Sequence, residues 1–467
     1  HLLPRTSKRV VVIGGGPTGL FCADRLRHHF EVTVVDAKEY FEFTPGILRA
    51  IVDPAHLSNI TFNYQQVLEN NLGVEFLQGN ASAVEADSHE EDGAAGHVNV
   101  LSNVGGKDKQ RRLAFDYCVV AVGVSNGLWK PRTPAGEFAG KSTMSAAQSA
   151  ASAAASSAAS AARGIASSLG GAAESPIPSS SVGGSSSSSA ATSTPPDERH
   201  LDARRRTLRE LRETLATARK VIVVGAGLVG VELAGELCHF YPRLKVRLID
   251  GAPTVLPQMA EGARNYARTW LEQRGVKIAL GSTFKQDMVG DGDVVMWCVG
   301  TQSRTSGLFS DPSVLLANGQ VRVNRKMQVV RGDSGRDSGS KSGAQAAGAP
   351  LGHGRVFAVG DVASIEGVPM AQMIFHGEEM AAVAVANIEA GEDVASPLTV
   401  GKGPREVEAM PVVACTSLGP RDGIFSTQSE LVTTGMLAAL QKQIIEDTKM
   451  GALQGQLLPS LLWMPIH

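Results

Sequence analysis

Two aspartates stand at the ends of apolar runs, each a fixed distance after a set of glycines. Asp36 follows Gly14 by 22 residues, and Asp250 follows Gly225 by 25. The glycines are Gly14, Gly16 and Gly19 in "VVVIGGGPTGLFCADRL" (10–26) and Gly225, Gly227 and Gly230 in "VIVVGAGLVGVELAGEL" (221–237). In such a triplet the first glycine permits a tight turn, the second lets a pyrophosphate approach the backbone, and the third lets the helix pack on the strand. The helix N-terminus then faces the phosphate with free N–H groups and a favourable dipole. A strand-end carboxylate accepts hydrogen bonds from a ribose. One triplet alone fits any strand-to-helix turn, but strand, triplet, helix, second strand and acid together point to nucleotide binding. The unit occurs twice, so two dinucleotides are expected.

The elements that must position these residues follow from periodicity. Val10–Ile13 is a short β-branched run of the kind buried in parallel sheets, and Glu31–Val35 and Leu244–Ile249 are the strands that carry the acids. Three more apolar runs end at glycine: "YCVVAVG" (117–123), "VVMWCVG" (294–300) and "RVFAVGDVA" (355–363). A helix is expected over 371–389. Strands alternating with helices predict an α/β fold with two doubly wound, Rossmann-like units.

Three stretches interrupt this frame. Residues 142–194 are Ala/Ser-rich, with charge only at Arg163 and Glu174, and offer too little apolar area to offset the entropy of ordering them. They are expected to form a disordered insertion. The Gly/Ser-rich tract 331–354 reads as a surface loop, and 85–112 as an elongated hairpin connection.

At 467 residues the chain exceeds one core, which sets two or three domains. Its net charge of −2 gives no global field that would recruit nucleic acid. The five cysteines, at 22, 118, 238, 298 and 415, have no metal-ligand spacing, so no metal site is expected. They read as buried small side chains in a reducing compartment. No run of eighteen apolar residues appears, which weighs against a spanning helix. The chain opens on His1, so a preceding signal or lipid site lies beyond what these residues show.

The order GGGPTG, AVG, GAGLVG, CVG and AVGD resembles the two-dinucleotide flavoproteins of the pyridine nucleotide-disulfide reductase superfamily. The segments "FEFTPGILRAIVDP" (41–54), "VELAGEL" with "YP" (231–242) and "TSLGPRDGIF" (416–425) look most like the apoptosis-inducing-factor-like branch, with type II NADH dehydrogenases nearby. The resemblance implies FAD in the first unit and NAD(P)H in the second, the NAD(P)H domain being inserted into the FAD domain. It implies an FAD part over 8–140, the Ala/Ser insertion at 141–199, the NAD(P)H domain at 200–330, the loop at 331–354, a second FAD part at 355–395 and a C-terminal segment at 396–467. Gly14, Gly16, Gly19 and Asp36 would hold the adenosine end of FAD, Thr44 and Pro45 would run beside the flavin, and Asp361 would serve the ribityl and pyrophosphate region. Gly225, Gly227, Gly230 and Asp250 would hold NAD(P)H, with Glu232 near the nicotinamide and flavin. Thr44–Pro45 reads equally well as a turn before a helix, and Glu232 as a first-turn carboxylate favoured by the dipole.

Disulfide reductases need two cysteines four residues apart beside the flavin, and no such pair exists here. A quinone, or another small acceptor, is what the resemblance implies for the electrons. Pro369 stands where the ferroptosis-suppressor relatives have a lysine, whereas Ala371-Gln372 looks like the "AQ" quinone motif of type II NADH dehydrogenases. Gln372 is thus the candidate for a quinone carbonyl. Only Gly281–Gly292 separates two strands of the second unit, so the usual hairpin there is expected to be short. His376 and Met373 read as core. The C-terminus reads as an amphipathic helix with an apolar tail carrying Trp463, which either docks on the protein or lies in a membrane interface. An intracellular place, cytoplasmic or mitochondrial and in contact with a membrane, is consistent with this, and the residues set no oligomeric state. Two alternatives remain: an NADH-sensing flavoprotein acting through partners, and a reductase of a small iron–sulfur protein.

Overall fold

The computed structural model describes residues 6–86, 93–104, 107–126, 196–332, 348–392 and 404–462. The Ala/Ser tract at 142–194, most of the 331–354 loop and Trp463 lie outside the described residues.

Arg9–Ile13 (RVVVI) is a strand because β-branched side chains suit a pleated surface covered on both faces. Val10 and Val12 are fully buried. The strand lies at the centre of a five-stranded parallel sheet in the order 356–358, 117–120, 9–13, 31–36, 75–78. Lys220–Val224 holds the matching place in a four-stranded parallel sheet ordered 277–279, 245–249, 220–224, 293–297. The registers correspond as well. Ile13 lies opposite Val35 and Val120, and Val224 opposite Ile249 and Trp297. Each glycine loop therefore emerges between the strand that carries the acid and the strand that ends in AVG or CVG, at the crevice where open α/β sheets bind ligands. Val356–Ala358 enters the first sheet only after the second sheet is complete, so the second unit is inserted into the first.

The two units differ in their connections. In the first, Asn80–Ala86, Gly96–Val104 and Lys107–Phe115 form an antiparallel meander, the elongated hairpin expected over 85–112. In the second, a single 3-10 turn, Gln286–Met288, stands between Lys277–Ala279 and Asp293–Trp297. Val124–Asn126 and Thr301–Ser303 pair antiparallel where the chain passes between the units. The C-terminal segment adds the antiparallel strands Val413–Ser417, Gly423–Thr427 and Leu431–Thr434, then the helices Met436–Leu453 and Leu457–Leu462. No helix among the described residues is long and apolar enough to cross a membrane.

The helix expected over 371–389 runs from Ile374 to Gly391. Its start is displaced because the His376 imidazole reaches back and accepts a hydrogen bond from the Ala371 N–H through Nδ1 (2.9 Å), holding 371–373 in a turn. His376 Nε2 faces the Pro411 carbonyl at 3.2 Å, so the ring is a buried, satisfied core residue.

Candidate functional site

The first glycine loop is shaped by its neighbours. Gly14 has φ +105°, and a Cβ there would lie 2.4 Å from the Ala121 carbonyl oxygen. A Cβ on Gly19 would overlap the Gly14 oxygen. Gly16 is different: its φ is −65° and a Cβ would meet nothing within 4 Å. Neither conformation nor internal packing requires glycine there, which leaves space for a ligand against the backbone. Asp36 clamps the loop from below, accepting from the Gly15 N–H (2.7 Å) and the Lys38 N–H (2.9 Å). From the other side the buried Tyr64 hydroxyl donates to the Gly15 carbonyl at 2.7 Å.

The second loop repeats the arrangement. Gly225 has φ +112° and is pressed against Cys298 and Val299, Gly230 lies on the Gly225 oxygen, and Gly227 is open, at φ −74°. Asp250 accepts from the Ala226 N–H (2.5 Å) and the Ala252 N–H (2.7 Å). Here the loop carbonyl is bound by backbone, the Leu256 N–H donating to the Ala226 oxygen at 2.8 Å.

Asp361 belongs to the first loop. Gly360 and Gly377 both pack on Thr18 in the first turn of the Pro17–Leu26 helix, which brings the backbone before Asp361 against that helix. Burial pushes the Asp361 carboxyl up to about 6. Gln372 is exposed in the turn before the helix, with its amide 3.5 Å from the Asp361 carbonyl. Thr44 and Pro45 form an exposed 3-10 turn ahead of the helix Ile47–Val52.

Glu232 lies one turn into the second helix, where it accepts from the Ser417 N–H (2.9 Å) and pairs with the Lys442 ammonium. One turn further on, Glu236 takes the Arg49 guanidinium (2.7 Å to Nη2) and the Ser417 hydroxyl (3.2 Å). Three separate segments thus converge on this helix face: the helix after Pro45, the strand at Ser417 and the helix Met436–Leu453. Between them lies a small cleft, partly open to solvent, bordered by Pro45, Arg49, His56, Glu236, Lys442 and Glu446. The structure brings Glu232 and Pro45 to this junction, whereas Gln372 stands with Asp361.

Sequence reasoning missed Tyr64, Arg49, Ser417, Lys442, His56 and Glu446. Part of the signal was present, since Glu232 and Glu236 are spaced i, i+4 on an otherwise apolar helix, and Lys442, Glu446 and Lys449 share a helical face. Cys22, on the first helix, is fully buried, and burial pushes its thiol up to about 12, which keeps it protonated. Among the described residues no group of three or more His, Cys, Asp or Glu side chains is placed to hold a metal ion.

The profile of the family described as pyridine nucleotide-disulphide oxidoreductase matches residues 8–162 and 183–387. Apoptosis-inducing factor homolog B of Dictyostelium discoideum is 22% identical over 455 residues, covering 89% of each chain. Ferroptosis suppressor protein 1 of Xenopus tropicalis is 22% identical over 90% of this chain and 88% of its own. The type II NADH:quinone oxidoreductase of Staphylococcus haemolyticus is 24% identical over 48% of this chain and 56% of its own. Among solved structures, the sulfide:quinone oxidoreductase of Aquifex aeolicus superposes with a TM-score of 0.61 at 15% identity, covering 96% of this chain and 92% of its own. That likeness is one of fold.

Proposed function

The chain belongs to the pyridine nucleotide-disulphide oxidoreductase family, and from that premise we propose that it is an FAD-dependent NAD(P)H dehydrogenase whose electrons leave to a quinone-type acceptor. The observation that carries the reading is the pair of open glycines. Gly16 and Gly227 have ordinary φ angles and free space where a Cβ would stand, so each loop leaves the approach to its backbone clear for a pyrophosphate. Gly14, Gly16, Gly19, Asp36, Thr44, Pro45 and Asp361 are the residues assigned to FAD, and Gly225, Gly227, Gly230 and Asp250 those assigned to NAD(P)H. When bound, FAD supplies a two-electron relay between nicotinamide and acceptor.

This chain's own residues do the positioning. Asp36 and Asp250 fix their loops through backbone N–H groups and keep lone pairs for ribose hydroxyls. Lys442 and the Ser417 N–H hold the Glu232 side chain in one orientation at the junction of the three segments. Asp361 offers a half-buried carboxyl to a hydroxyl-bearing ligand. Gln372 is assigned to a quinone carbonyl, since its amide can donate a hydrogen bond. The name of the matched type II NADH:quinone oxidoreductase supports the acceptor class.

A peripheral membrane contact is part of the same proposal. Met436, Leu437, Leu440 and Ile444 follow one another along one side of the C-terminal helix and are each more than half exposed, as are Leu457, Leu458 and Leu462 beyond it. An apolar stripe of this size suits a lipid interface and gives access to a membrane-dissolved quinone. It would place the protein on an intracellular membrane, cytoplasmic or mitochondrial.

The test is an anaerobic acceptor screen on purified, FAD-loaded protein. NADH should bleach the flavin absorbance and a short-chain ubiquinone should restore it within seconds. If NADH bleaches the flavin and quinone leaves it bleached, the acceptor assignment fails and the NADH-sensing reading replaces it.

A further inference from the structure

The cleft beside Pro45 contains one acid–base pair to which the electron path gives no task. His56 and Glu446 are each 6% exposed, and the imidazole Nε2 stands 3.2 Å from Glu446 Oε1. The contact is within ion-pair range but off hydrogen-bonding geometry, so this buried carboxylate oxygen has no hydrogen-bond partner. Leaving such an oxygen unsatisfied costs about 1–3 kcal/mol. Both residues border the cleft.

The other ionisable groups around the cleft are committed. From the helix Ile47–Val52, Arg49 binds both oxygens of Glu236, which comes from the helix Leu228–Phe240. From the C-terminal helix, Lys442 binds Glu232. A guanidinium does not give up its proton, and both carboxylates are closed off by direct hydrogen bonds to their cations. Imidazole is the side chain that changes charge near neutral pH, and it faces a carboxylate here.

The reaction has a matching need. NAD(P)H, one proton and a quinone yield NAD(P)⁺ and a quinol; the hydride brings two electrons and one proton, and the second proton comes from water. We propose that His56 and Glu446 share one exchangeable proton, pass it through this cleft toward the acceptor, and are reloaded from solvent. The proposal rests on the quinone reading above.

Ferricyanide separates the steps, because it takes electrons one at a time and no proton. In FAD-loaded Glu446→Gln and His56→Gln proteins the ratio of quinone turnover to ferricyanide turnover should fall at least about tenfold, roughly 1.4 kcal/mol of barrier. A second readout does not depend on turnover. The reduced-minus-oxidised infrared difference spectrum of the wild-type protein should contain a carboxyl band that is lost in Glu446→Gln. If wild type reduces quinone while both variants keep its turnover ratio, or if the carboxyl band survives in Glu446→Gln, the proton assignment is overturned and the quinone reading stands. If wild type turns over ferricyanide but not quinone, the reading itself fails and the proposal with it. Should Glu446→Gln lose its flavin, His56→Gln decides.

Discussion

The two glycine loops are near copies in backbone and unlike in what surrounds them. Each has a first glycine in the left-handed region, an open second glycine and a strand-end aspartate accepting two backbone N–H groups. In the first, however, the loop carbonyl is held by a side chain, Tyr64, and the half-buried Asp361 follows a strand of the same sheet. In the second, the carbonyl is held by the Leu256 N–H, and the four-stranded sheet has no counterpart of the strand Val356–Ala358 that precedes Asp361. Backbone alone can shape a phosphate loop. The extra side chains of the first loop suit a ligand that stays, and their absence in the second suits one that comes and goes each turnover.

The sharpest way to break the comparison is to fill each open glycine. Gly16→Val should yield protein purified without flavin, a loss of at least about a thousandfold in affinity, or about 4 kcal/mol, read as the ratio of flavin to protein absorbance. Gly227→Val should keep its flavin and instead lose reduction by NADH in stopped flow. Equal effects of both substitutions on flavin content would show that the loops are not separate sites.

Asp361 provides the next contrast. Its folded value, about 6, lies above the ordinary 3.8, so the folded chain holds the proton more tightly than the unfolded one. The stability this contributes is full below about 3.8 and is lost as pH rises through 6. The two-unit difference sets an upper bound of about 3 kcal/mol, less with residual solvent screening. Flavin-free Asp361→Asn protein should therefore resist urea better than wild type at pH 8 and equally at pH 4, while binding FAD more weakly. A uniform gain at both pH values would remove the electrostatic explanation.

Smaller effects sharpen the picture further. Asp250→Ser should lower the NADH-to-NADPH ratio of kcat/KM about tenfold, because the carboxylate that repels a 2′-phosphate is gone. Tyr64→Phe leaves the Gly15 carbonyl without its donor and should weaken FAD by about 1–2 kcal/mol with KM for NADH unchanged, as isothermal titration and steady-state assays would report. Removal of residues 142–194 through a short linker should leave flavin content and NADH oxidation near wild type, since long surface connections add little closure cost.

The loops, their strands and their acids were legible because each is local: turn, apolar run and carboxylate lie within about thirty residues of sequence. The start of the Ile374 helix was misplaced because a buried imidazole, not a local capping residue, sets it. That left Gln372 in a turn rather than on a helix. Lys442 and Ser417 were invisible for another reason. They reach Glu232 across 210 and 185 residues of chain, and nothing in a lysine on an amphipathic helix or a serine in a strand names a distant partner. His56 and Glu446 come from opposite ends of the chain in the same way.

The placement of Val356–Ala358 beside Cys118–Val120 also fixes an order of events at the ribosome. Synthesis runs at about 5–20 residues per second, so the last strand of the first sheet emerges on the order of ten seconds or more after the neighbour it must join. By then the whole inserted unit has been made and can condense on its own four strands. The nascent first sheet meanwhile presents Tyr117–Val120 as an unpaired apolar edge, the kind of template on which other chains dock. Expression of this protein should therefore be limited by how long that edge stays uncovered, and a chain truncated before residue 356 should accumulate as aggregate while its second unit is already built.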